Sequence, residues 1–242
     1  MYLGMKIETL SCGIATVIEI LGKGWCTVEF EDGFRKRTSH GSIRDKMIKN
    51  PHSRSVYGLG VLGEGYNCTN NGVMTKEYSY WIAMMSRCYH NNETLNVSYA
   101  DKYVSEDWLF FQNFAEWCQT ADNFNMGWQL DKDLLIPENK IYSSETCTFL
   151  PVEINAALSR SKRKKVQDLP LGVTYNSHNK RFYVSYYDVD KGKNSAKPFK
   201  TSEDAEKFYL GVRYTKLKIA ILKYKDLLKE DVLCRLCEII NN

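Results

Sequence analysis

Two stretches decide how this chain is read: Leu169-Pro-Leu-Gly-Val-Thr-Tyr-Asn176 and, four residues later, Arg181-Phe-Tyr-Val-Ser-Tyr-Tyr-Asp188. Both are rich in β-branched and aromatic residues, and Asn176-Ser-His-Asn179 at their junction is turn-forming. Pro170 and Gly172 open the unit. Strands are expected over residues 173–175 and 181–188, with a third over 197–200. Alternate strand residues share a face. Arg181, Tyr183, Ser185 and Tyr187 therefore stand on one side, and Phe182, Val184 and Tyr186 on the other. Thr201 or Ser202 caps a helix expected to run from residue 203 to about 240. Its stripe of Tyr209, Val212, Tyr214, Leu217, Ile221, Tyr224 and Leu228 covers the apolar side. The expected unit is a three-stranded antiparallel sheet packed on a long helix, with one sheet face free.

Charge separates this unit from the rest. Residues 159–200 hold 11 basic and 3 acidic side chains, whereas residues 59–158 hold 5 basic and 13 acidic ones. The basic block begins with Arg160, Lys162, Arg163, Lys164 and Lys165 and continues through Lys180, Arg181, Lys197 and Lys200. Cations of this density beside a sheet face bearing Tyr183 and Ser185 point to double-stranded DNA: the cations neutralise phosphates, and the face reaches base edges.

Working outward, residues 12–45 read as short strands. Ala15-Thr-Val-Ile-Glu-Ile-Leu21, Trp25-Cys-Thr-Val-Glu-Phe30 and Phe34-Arg-Lys-Arg-Thr38 are joined by turns at Lys23-Gly24 and Asp32-Gly33. A small β-barrel is expected. A glycine-rich connector, residues 58–72, leads to two helices. One covers residues 77–90, with Tyr80, Trp81, Met84, Met85 and Cys88 at helical spacing. The other is capped by Ser105 and lined by Trp108, Phe111, Phe114, Ala115 and Cys118. Residues 153–158 read as a further short helix. The whole is α+β, in three parts: residues 1–58, 59–158 and 159–242.

Other signals exclude function classes. No run approaches the length of apolar sequence that spans a bilayer, and Met1 to Lys6 does not read as a signal peptide. Eight scattered cysteines suit reduced thiols in the host-cell cytoplasm. Gly58-x-Gly60-x-x-Gly63 fits the dinucleotide spacing without a parallel strand unit around it. Cys234-x-x-Cys237 has no second pair at finger spacing, and the spacings of Cys68, Cys88, Cys118 and Cys147 match no familiar zinc knuckle.

Leu169-Pro-Leu-Gly-Val173, Arg181-Phe-Tyr-Val184, Pro198-Phe-Lys-Thr201 and Glu203-Asp-Ala205 with Tyr209 resemble the APETALA/ethylene-response-factor type of DNA-binding domain. The resemblance implies a three-stranded sheet in the major groove, with Arg181, Tyr183 and Ser185 toward DNA. Residues 189–196, rich in lysine and glycine, depart from the pattern. The segments Tyr80-Trp81-x-x-Met84-Met85-x-Arg87-Cys88-Tyr89, Val104-Ser-Glu-Asp-Trp108, Leu130-Asp-Lys-Asp133 and Tyr142-Ser-Ser-Glu-Thr-Cys147 are similar to phage and bacterial HNH-like, homing-endonuclease-type proteins. That group often precedes APETALA-type modules.

The second resemblance implies a ββα-metal-like core holding Mg2+ or Mn2+ through Asp131, Asp133 and Asn155, with Asp131, Asp133 and His90 as catalytic candidates. It also places Lys132 where a general-base histidine is expected, and a protonated lysine accepts no proton. None of the four histidines, His40, His52, His90 and His178, lies in the motif. Three readings stay open: a duplex-binding protein with a degenerate HNH-like core, an active metal-dependent DNA endonuclease, and a phage protein that binds a host protein through its acidic centre.

Overall fold

The computed structural model describes residues 1–90, 101–158, 169–188 and 190–241. The chain is mixed α+β and divides into two compact units, Met1–Thr120 with Lys140–Glu145, and Ala121–Asn139 with Thr146–Asn242.

The first unit opens with β1 (Lys6–Glu8), β2 (Ile14–Gly22), β3 (Trp25–Phe30) and β4 (Arg35–Ser39), followed by α1 (His40–Arg44). The strands pair antiparallel in chain order. Alternation puts Ala15, Val17, Cys26, Val28 and Phe30 into one buried cluster with Ile7, Ile43 and Ile48. The barrel expected for residues 1–58 is instead an open sheet. Its edges are β1 and β4, which do not pair. Closing a ring requires that pairing, and β1 has only three residues to offer. Register shifts after Val17 and Ile20 mark bulges in β2.

The glycine-rich connector leads to a two-stranded hairpin, β5 (Thr69–Asn70) and β6 (Val73–Met74), and to α2 (Lys76–Tyr89), capped by the Thr75 side chain. Then come β7 (Tyr103–Val104), a 3-10 turn over Asp107–Leu109 and α3 (Phe111–Thr120). Ser105 Oγ accepts from the Trp108 N–H at 3.4 Å, so the expected cap forms, yet the helix proper starts later. The cause is Val61: its N–H donates to the Leu109 carbonyl and its own carbonyl accepts from the Phe111 N–H, both at 2.9 Å. Trp81, Met84, Met85, Trp108, Phe111 and Phe114 are fully buried. The Trp81 Nε1–H donates to the Trp108 carbonyl at 2.7 Å. Burying each such side chain contributes about 1.5–3 kcal/mol, which is why these aromatic stripes belong to the core.

In the second unit, β8 (Gln129–Asp131) pairs antiparallel with β10 (Thr148–Leu150), which leads into α4 (Val152–Leu158). The intervening β9 (Ile141–Tyr142) pairs in parallel with β7 in the first unit. The C-terminal strands are β11 (Val173–Asn176), β12 (Arg181–Asp188) and β13 (Lys193–Phe199), antiparallel in that order. They pack on α5 (Ser202–Tyr224), capped by Thr201 as expected. A cluster of Val173, Val184 and Ala205, joined by Phe182, Phe199, Phe208 and Tyr209, fills the space between sheet and helix. At Gly172 φ is +78°, and a Cβ there would stand 2.2 Å from the Tyr209 ring, so the turn into β11 tolerates only glycine.

The long helix does not reach residue 240. It ends at Tyr224, and α6 (Glu230–Asn241) follows. A straight continuation would carry Val232 and Leu236 away from Leu217, Ala220 and Ile221; the break brings all five into one core with Leu150 and Ile154. Asn123 Nδ2 donates to the Leu227 carbonyl at 2.8 Å, and Lys229 pairs with Asp122 at 3.0 Å, fixing the connection. No helix among the described residues is long and apolar enough to cross a membrane.

Candidate nucleic-acid interface

The register of β11, β12 and β13 defines a free sheet face. Val184 is fully buried, so Arg181, Tyr183, Ser185 and Tyr187 point away from α5. Their cross-strand partners are Asn176 and Thr174 on β11 and Pro198, Ala196 and Asn194 on β13. These nine side chains include one cation, Arg181, and no acid. Thr174, Asn176, Tyr183, Ser185 and Ala196, with Tyr175 and Ser177, line a shallow concavity of about 500 Å³. Arg181 is exposed and has no ion pair among the described residues.

Each end of the face is shaped by its turn. The Asn176 carboxamide accepts from the backbone N–H of His178 at 2.9 Å and of Asn179 at 3.4 Å. The Asn179 amide donates to the Tyr183 hydroxyl at 2.6 Å, holding the ring. Lys180 takes a left-handed backbone, φ 52°, that delivers the chain to Arg181. At the other end Asp188 is buried and accepts from the Lys191 ammonium at 2.9 Å and the Lys191 N–H at 3.2 Å. The Lys191 ammonium, above all, holds the Asp188 carboxyl below the usual carboxylate range.

Of the eleven DNA-contact candidates, Arg181, Tyr183 and Ser185 share the free face, Lys180 flanks it in the turn, and Lys200 is exposed just past β13. Lys197 is placed differently. It pairs with Val184 and so lies on the helix side, its ammonium 4.4 Å from the Phe208 ring centroid. Arg160, Lys162, Arg163, Lys164 and Lys165 lie outside the described residues. Thr174 and Asn176 of β11 and Pro198 of β13 come onto this face only through their pairing with β12, and Asn194 and Ala196 lie before the strand expected at 197–200.

The metal and catalytic candidates have other occupations. Asp131 Oδ1 accepts from the backbone N–H of Asp133 at 3.0 Å and of Leu134 at 2.8 Å. Burial pushes its carboxyl pKa up, against those two bonds. Lys132 is 3% exposed. Its ammonium donates to the Asp133 carboxylate and, at 2.7 Å, to the Asn139 carbonyl, while the Asn139 amide donates back to the Lys132 carbonyl at 2.8 Å. The Asn155 amide donates to Gln129 Oε1 at 2.8 Å. His90 caps the C-terminus of α2 in the first unit, its ring edge-on to Tyr57. Among the described residues no group of three or more His, Cys, Asp and Glu side chains is placed to hold a metal ion.

The glycine pattern at 58–63 has a packing cause. A Cβ at Gly60 would lie 2.8 Å from the Trp81 ring, and one at Gly63 would lie 2.6 Å from Gln112. The Gln112 amide donates to the Leu62 carbonyl at 2.7 Å and accepts from the Tyr66 N–H at 2.6 Å, clamping the loop. No family model matches the chain, and neither a curated protein nor a solved structure matches it.

Proposed function

We propose that this chain binds double-stranded DNA through the free face of its C-terminal sheet, in the manner of an APETALA-type module on a phage homing-endonuclease-type protein of the host-cell cytoplasm. The observation that carries the reading is a sheet face without acids, on which Arg181, with no ion pair among the described residues, stands beside Tyr183, Ser185, Thr174 and Asn176. Three strands at about 4.8 Å spacing place the outer two about 10 Å apart, a width that fits a major groove about 12 Å wide. Hydroxyl, amide and guanidinium groups on that face suit base edges. Lys180 and Lys200 suit the flanking phosphates, as does the basic stretch 160–165.

The central part serves as an HNH-like scaffold in this proposal. β8, β10 and α4 follow in the strand–strand–helix order that the resemblance implies, with Asp131 at the end of β8 and Asn155 on α4. Against cleavage stand the capping bonds of Asp131 and the buried Lys132.

The test incubates the full chain with supercoiled plasmid, with magnesium or manganese and with EDTA, alongside a mobility shift. The expected result is a salt-sensitive shift with intact plasmid in every lane. Metal-dependent nicking would replace this reading by the endonuclease one. Neither a shift nor a nick would remove both and bring forward recognition of a host protein.

A further inference from the structure

The solvent side of α5 carries a second surface. From Lys207 to Lys225 the sequence holds six cations and no acid: Lys207, Arg213, Lys216, Lys218, Lys223 and Lys225. Two of these have structural partners. The Arg213 guanidinium donates to the Ala157 and Leu158 carbonyls at 2.5 and 2.6 Å, and Lys223 pairs with Glu153 at 2.7 Å. Lys216, Lys218 and Lys225 are exposed and have no ion pair among the described residues.

Ile219 and Leu222 stand between them, 62% and 69% exposed. In a helix, residues three and four apart are neighbours. Leu222 therefore lies beside Lys218, Ile219 and Lys225, with Asp226 following where the helix has ended, and Ile219 lies beside Lys216, Leu222 and the paired Lys223. Solitary exposed aliphatics are ordinary. A pair of them flanked by three cations without an ion pair among the described residues, on a helix whose other face is already committed to the core through Leu217, Ala220 and Ile221, is a surface of definite chemistry.

We propose that this stripe docks an acidic amphipathic helix of a protein partner, with the partner's carboxylates on Lys216, Lys218 and Lys225 and its apolar side chains on Ile219 and Leu222. Charge complementarity selects an acidic occupant. The aliphatic pair selects a protein over a nucleic acid, because desolvating it needs apolar surface on the other side. Two copies of the stripe repel each other. A helix that lies in a bilayer interface needs a broad apolar face, and here that face is inside the core. The surface does not depend on the sheet: α5 meets the sheet through Ala205, Phe208 and Tyr209, near its other end.

The probe is a synthetic helical peptide bearing leucines three and four residues apart, flanked by glutamates, titrated against the full chain by fluorescence anisotropy. Saturable binding is expected, weakening as salt rises. Two surface variants, Ile219→Ser with Leu222→Ser and Lys216→Glu with Lys218→Glu, are each expected to weaken it about tenfold or more. Their circular dichroism and duplex affinity are expected to stay those of the parent. No saturation below about 100 µM peptide would overturn the proposal, and so would an affinity in both variants equal to that of the parent. A loss of duplex affinity in the lysine variant would reassign the stripe to nucleic acid. Leu222-dependent sedimentation with phosphatidylglycerol vesicles would reassign it to membranes.

Discussion

The chain builds two antiparallel sheets that bury one face and expose the other, and their exposed faces handle charge in opposite ways. On the N-terminal sheet every cation of β4 has a partner. On the exposed face Arg35 pairs with Glu29 at 2.5 Å and the Arg37 guanidinium lies 5.0 Å from the Trp25 ring centroid, while Lys36, on the Val28 side, donates to the Lys49 carbonyl at 3.1 Å. Glu19 in turn accepts from the Thr27 hydroxyl at 2.8 Å. On the C-terminal sheet Arg181 has no ion pair among the described residues, and the polar groups that share its face are neutral. A surface that neutralises itself gains little from an anion, because a new contact displaces an old one. A surface with a lone cation gains the whole interaction. The difference separates the arginines of the two sheets: Arg35 and Arg37 are engaged within their own sheet, whereas Arg181 has no ion pair among the described residues.

The largest effect that probes this contrast comes from the backbone. Gly172→Ala is expected to destabilise the C-terminal sheet by about 3 kcal/mol or more, combining the left-handed φ with a collision against Tyr209. Gly33, at φ +85° in the N-terminal sheet, has open space above it. Gly33→Ala is expected to cost only the conformational part, about 1–2 kcal/mol. Urea unfolding compares the two, and equal losses would mean that Tyr209 yields.

Next comes the contrast itself. Arg181→Ala with Tyr183→Ala is expected to weaken duplex binding about tenfold or more and to flatten its salt slope. Arg35→Ala with Arg37→Ala is expected to change affinity less than about twofold, since those cations are engaged within the sheet. Anisotropy titrations over a salt series read both. A reversal would move the interface to the N-terminal sheet.

A smaller effect tests what an occupied carboxylate means. Asp131→Ala is expected to cost about 1 kcal/mol by losing the two backbone bonds. Asp131→Asn keeps an acceptor oxygen and removes a charge that burial disfavours. Because burial raises this carboxyl's pKa in the folded state, ionisation opposes folding as pH rises through the usual aspartate range. The asparagine variant is therefore expected to be at least as stable as the parent at neutral pH in thermal unfolding. An equal loss in both variants would show that the charge itself is needed and would favour a metal role.

The smallest concerns Glu153. Hydrogen bonding from Lys223, above all, holds its carboxyl at about 2. The stabilisation it provides is complete above the usual glutamate value and is lost as pH falls toward 2. It is modest, because Glu153 and Lys223 are about half exposed and screened. Lys223→Met is expected to return the Glu153 midpoint to the ordinary glutamate range in an NMR titration. An unchanged midpoint would assign the shift to Tyr224 and the α4 backbone.

What was legible in the sequence was local. Alternation in Arg181–Asp188 fixed the two faces of β12, and helical spacing located α2 because Trp81, Met84 and Met85 recur at core positions. What was hidden depended on partners far away in the chain. The start of α3 is set by Val61, fifty residues before it. The end of α5 is set by where Val232 and Leu236 find apolar company. The third strand begins at Lys193 and not at residue 197 because β12 supplies partners for the earlier residues, and its pairing with Val184 puts Lys197 on the helix side. The barrel failed for a similar reason, since ring closure is a property of edges and no single strand announces it. At the candidate site, Arg181, Tyr183, Ser185 and Tyr187 were visible from the alternation of a single strand, while Thr174, Asn176, Asn194, Ala196 and Pro198 joined them only with the pairing.

The helix α5 belongs to two cores at once. Its first half closes the sheet through Ala205, Phe208 and Tyr209, and its second half closes the helical core through Leu217, Ala220 and Ile221. Twenty-three residues make a rod about 34 Å long, and neither core can loosen without fraying the rod that serves the other. The free sheet face is thus held in a fixed shape before any ligand arrives. In the proposed complex, capture on that face gives up little backbone conformational entropy.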